Sequence, residues 1–148
     1  MTQPAMIRRR DAAQATLDKY RDKPFAMGQR DCVRMAAHHL RLLGWKIKLP
    51  AAGSYRSARS ALEALKARGH ADLPAALDAM GLERKAPAGV IVGDIVWCPA
   101  DDAFGALGIA LGNGRICGFH EHCVGVEVLQ PFDAPAIAWD CMPQEHRP

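Results

Sequence analysis

The chain has 148 residues, 49% of them hydrophobic, and a formal net charge of +3. That is one domain's worth of sequence with apolar material for a single core, and too little charge to argue a nucleic-acid-binding surface. No apolar run approaches the roughly 18 to 20 residues that cross a bilayer, no segment has the charged, apolar, small-residue order of a secretion signal, and the odd count of five cysteines argues against a disulfide framework.

In chain order, Ala12, Ala13, Thr16, Leu17 and Tyr20 mark a weakly amphipathic helix from about Arg9 to Tyr20. The basic run Arg8-Arg9-Arg10 at its edge has no interleaved aromatics and reads as a solvated or partner-contacting face. Residues 21–30 hold Pro24 and Gly28 and read as a loop. Asp31 is a natural N-cap for a second helix with Val33, Ala36, Ala37, Leu40 and Leu43 on one face, stopped by Gly44. After a loop over Pro50 to Ser54, Ser57 caps a third helix with Ala61, Leu62 and Leu65 inside and Gly69 at its end. Asp72 caps a short fourth helix through Leu73, Leu77 and Met80, closed by Gly81.

After Gly93 the texture changes to five short β-type runs: Ile95 to Cys98, Leu107 to Leu111, Arg115 to Phe119, Val124 to Leu129 and Ile137 to Cys141. Gly112-Asn113-Gly114 between two of them is a hairpin signal, because the tight turn needs positive φ at its centre. The expectation is a single α+β domain over residues 1–148, its core over about 10–141, with N-terminal helices packed on a C-terminal antiparallel sheet of about five strands and flexible ends.

The chemistry-bearing pair is Asp31-Cys32. A thiol at a helix N-terminus meets unpaired N–H groups and the positive end of the helix dipole, which favour a nucleophilic thiolate. Phe25-x-x-Gly28-x-x-Asp31-Cys32, then Gly93-Asp94-Ile95-Val96, then Leu107-Gly108-Ile109-Ala110-Leu111-Gly112-Asn113-Gly114 resembles the landmark order of NlpC-like cysteine peptidases, papain-like cell-wall hydrolases often carried on phage tails. Tyr55-Arg56-Ser57 with the helix ending at Gly69, the short helix ending at Gly81 and a strand bearing Trp139 is similar to a phage-tail branch of that group.

The resemblance implies Cys32 as nucleophile, with Asp31 and Gly28 beside the substrate, and no cofactor. It also implies other tail proteins as partners, peptidoglycan peptides as the ancestral substrate, and a place in the virion after synthesis in the bacterial host cytoplasm.

The proton-handling positions depart from the pattern. The strand residue that is histidine in active members falls at Ala106, and the residue that orients that histidine falls at about Gly118. Alanine takes up no proton, and general acid–base assistance is worth about a hundred to ten thousand-fold in rate. The implied reading is a degenerate, structural relative; the alternative is an active peptidase with His120 or His122 as a relocated base. His38 and His39 lie too far along the Cys32 helix to serve. Cys117, Cys123, His120 and His122 form a Cys/His group, but no cysteine pair has the two- to four-residue spacing of structural zinc ligands, so single buried cysteines and no metal are expected.

Overall fold

A computed structural model describes residues 3–119, 125–130 and 136–143. Its elements are α1 (Ala5–Tyr20), α2 (Cys32–Leu42), α3 (Ala58–Ala67), α4 (Leu73–Ala79), β1 (Glu83–Lys85), β2 (Ile95–Cys98), β3 (Ala106–Gly112), β4 (Arg115–Phe119), β5 (Val126–Leu129) and β6 (Ile137–Asp140). The α+β class expected from the succession of helix and strand signals is the observed one. Three of the helices start at the side-chain caps read from the sequence. Asp31 accepts from the Arg34 N–H, Ser57 forms a reciprocal capping box with Ser60, and Asp72 accepts from the Ala75 N–H. Helix α1 begins a turn earlier than its apolar spacing suggests, where the Pro4 carbonyl takes the N–H groups of Ile7 and Arg8.

Among the described residues six strands pair in the order β1-β6-β2-β3-β4-β5, antiparallel throughout. The middle of the sheet is the core, with Ile95, Val96, Ile109, Ala138 and Trp139 fully buried. Strands β3 and β4 form a hairpin in which Gly112 faces Arg115 across the two-residue turn Asn113-Gly114. Both turn residues hold positive φ, 55° and 75°, as the right-handed twist of the flanking strands demands.

The sixth strand, β1, was not expected. Glu83-Arg84-Lys85 has neither β-branched nor aromatic residues, and it is extended because it pairs with β6 at the sheet edge, where short charged strands are suited.

Helix α1 lays Arg9, Ala12, Ala13, Thr16, Leu17 and Tyr20 inward, and α1 and α2 pack together against β3. The basic run at its start is therefore not one solvated face. Arg9 is 5% exposed and forks between two carboxylates, with Nη1 2.9 Å from Asp94 Oδ1 and Nη2 donating to Asp140 Oδ1. Lys85 Nζ reaches the other Asp94 oxygen at 2.8 Å, and so does the Ile91 N–H at 2.9 Å. Arg8 caps the end of α2 by donating to the Leu43 carbonyl, and only Arg10 is exposed, beside Asp11. A run of identical residues on a helix points around its circumference, so one member had to face the core.

Candidate active site at the mouth of helix α2

The loop before α2 is folded around one carboxylate. Asp31 is fully buried; its Oδ2 accepts the Gly28 N–H at 2.7 Å and the Tyr55 hydroxyl at 2.9 Å, while Oδ1 accepts the Arg34 N–H at 2.9 Å. Ala26 and Arg30 bridge each other through paired backbone bonds, closing a tight turn. Gly28 makes that turn with φ of 84°, and a Cβ there would overlap the Tyr55 carbonyl oxygen. Asp31 and Gly28, expected beside a substrate, are both buried and engaged inside the fold. The Tyr55 hydroxyl holds Asp31, and its phenol is pushed up first by burial and then by the Asp31 carboxylate.

Cys32 follows as the first residue of α2 and is itself buried. The helix terminus was expected to favour its thiolate, but here the balance runs the other way. Burial pushes the thiol up to about 12, with the Asp31 and Asp102 carboxylates pushing the same way and the Leu107 and Cys32 backbone N–H groups pulling it down. The sulfur is thus set against the first residues of β3, where Ala106 stands. Asp102 holds the approach to that strand by accepting the N–H groups of Phe104 and Gly105, both at 2.9 Å. The sequence carries this only as a weak Asx-turn signal, an aspartate two residues before Phe-Gly.

Gly118 lies on β4, buried, its Cα side against the Leu107 carbonyl and Gly108. His120, His122 and Cys123 lie outside the described residues. Of the described histidines, His38 sits half-buried with its ring edge-on to Tyr20, and His39 is buried with Nε2 2.7 Å from the Gly93 carbonyl. His70 lines a cavity behind α2.

Cys117 is buried in β4, its thiol raised by burial to about 11, and burial raises Cys98 and Cys141 as well. Among the described residues the four cysteines are free, and no group of three or more His, Cys, Asp or Glu side chains is arranged to hold a metal. No helix among them is long and apolar enough to cross a membrane.

Fold and site together define an α+β domain built around a helix-mouth cysteine whose proton is held rather than released. The chain belongs to the DUF6950 family, a domain of unknown function, whose profile matches residues 6–140. No curated protein matches it.

Proposed function

We propose that this chain is an NlpC-like domain of a phage tail, retained at the tail tip or hub as a structural element after its catalytic centre degenerated. The tail context rests on the resemblance of the landmark residues. The observation that carries the degenerate reading is the state of the sulfur, buried, with its thiol raised to about 12, against a strand that begins with Ala106. At neutral pH fewer than about 1 in 10,000 such thiols is ionised. A nucleophile so rarely formed, on a scaffold whose base position the resemblance assigns to Ala106, gives no efficient route to an acyl-enzyme or to protonation of a leaving amine.

What the domain keeps is geometry. The Asp31 carboxylate that ties the loop to α2, and the glycines that shape the hairpin, would preserve a rigid surface for neighbouring tail proteins.

A second reading has one observation in its favour. Ile109 pairs with Cys117, so the antiparallel register continued from there sets Phe119 beside Leu107, at the end of the sheet where the sulfur sits. The chain runs on from Phe119 into His120 and His122, the alternative bases for hydrolysis of peptidoglycan peptides.

Incubation of the purified chain with peptidoglycan, read by mass spectrometry of released peptides, separates the two. The structural reading expects no release above a Cys32→Ala control. Release that is lost in Cys32→Ala and in His120→Ala or His122→Ala would establish the enzyme instead.

A further inference from the structure

Between α2, residues 45–50, α3 and α4 lies a cavity of about 290 Å³ whose lining also takes in Val33, Tyr55, Phe104 and Leu107, beside the Cys32 site. Its walls are apolar, with Ala37 and Leu40 from α2, Ala61 and Leu65 from α3, and Leu73 and Leu77 from α4. Helix α3 is incompletely covered by the protein's own packing. Ala61 alone of its residues is buried, while Leu62 and Leu65 on the same amphipathic face remain half-buried.

The charged residues of the lining are of one sign. They are Lys46, Lys48 and Arg68, with His70 beside them; no aspartate or glutamate lines the cavity, and none of these four makes an ion pair among the described residues. Uncovered apolar walls together with three unneutralised cations, Lys46, Lys48 and Arg68, are the complement of a molecule with an apolar tail and an anionic head.

Size narrows the class. An apolar cavity of about 150 Å³ takes up benzene, so this one matches a tail of about ten to twelve carbons. A folded protein partner buries about 800 Å² of each surface, far more than a hollow of these dimensions supplies. A second copy of the chain is disfavoured because it brings its own net positive charge to a positive rim.

We infer that the cavity is a binding site for a straight-chain carboxylate of medium length, its tail between α2, α3 and α4 and its head among Lys46, Lys48, Arg68 and His70. The cavity adjoins Cys32 through Leu107 and Tyr55, but binding there needs no chemistry from that thiol.

Calorimetric titration of the full chain with decanoate, and with decyltrimethylammonium as the head-group control, tests this. Decanoate is expected to bind saturably at one site, with the cationic analogue weaker by about tenfold or more, as opposite charge at a partly screened rim requires. Binding should weaken at about 1 M salt, where the Debye length is about 3 Å.

Reversing two exposed charges with Lys48→Glu and Arg68→Glu is expected to cost about tenfold in affinity without disturbing the fold. Ala64→Phe, which projects a ring into the hollow, should abolish binding while near-ultraviolet circular dichroism stays unchanged. Absence of saturable decanoate binding, equal affinity for the two head groups, or full affinity in the charge-reversed chain would overturn the assignment.

Discussion

A single carboxylate organises the site. Asp31 receives hydrogen bonds from Gly28, Arg34 and Tyr55, so one side chain caps α2, closes the preceding turn and anchors residue 55 across 24 positions of sequence. Tyr55→Phe removes the only one of these that comes from a side chain. A hydrogen bond to a charged acceptor is worth about 1.5 to 3 kcal/mol, and a loss of that size in urea unfolding is expected, with helix content retained.

The neighbouring thiol answers a different measurement. Native-state alkylation near neutral pH, read by mass spectrometry, should modify half-buried Cys98 well before Cys32, Cys117 or Cys141, which react only when the chain unfolds. Rapid labelling of Cys32 would contradict its buried, protonated state. The sequence disclosed the cap and the cysteine because capping is local. It did not disclose Tyr55 as the partner of Asp31, nor the Leu107 N–H and Asp102 beside the sulfur, because these meet only after α2 docks on β3.

Elements with a strong local signal were readable in the chain. The amphipathic spacing of α2, the Ser57 and Asp72 caps and the Asn113-Gly114 turn each carry their own cause within a few residues. Elements made by their neighbours were not. Strand β1 exists through its pairing with β6, and Arg9 is buried because α1 rolls that side of its basic run onto the sheet.

Arg9 is also where an element can be broken. It joins α1 to the start of β2 through Asp94 and to the end of β6 through Asp140. Arg9→Met keeps the stem but leaves fully buried Asp94 with Lys85 as its remaining ion-pair partner among the described residues. Removing one member of a buried ionic cluster costs about 3 to 5 kcal/mol, and a fall of that order in unfolding free energy is expected. Arg9→Lys should recover only part of it, since one ammonium nitrogen must serve two carboxylates that separate guanidinium nitrogens now reach.

For the molecule as a whole, acid sensitivity should appear in two windows. Burial holds the His39 ring below its ordinary value of 6.5, against the pull of the Gly93 and Ala12 carbonyls. Above about pH 6.5 the ring is neutral in folded and unfolded chains alike. Below it the unfolded chain takes up a proton that the folded chain refuses, so stability declines with acidification until the folded ring's own lower pKa is reached. His38, lowered by burial and by Lys19, Arg41 and Lys23, adds to the same slope. His39→Gln should flatten most of it in denaturant melts taken between about pH 7 and 5.

A second decline begins lower, because Arg84 and Trp139 hold the Asp78 carboxyl below its usual 3.8 by hydrogen bonding, and the stability this lends is lost as pH falls through the depressed value.

The Arg9 clasp has a consequence for how the chain comes into being. Its two carboxylates stand 85 and 131 positions downstream, so during synthesis α1 leaves the ribosome carrying a cation with no mate. The middle of the sheet stays open until β6 slots between β1 and β2. A domain in which α1 and β6 close one lock matures only after residue 140 has been translated, and until then its unfinished sheet is exposed to whatever chaperone or neighbour meets it.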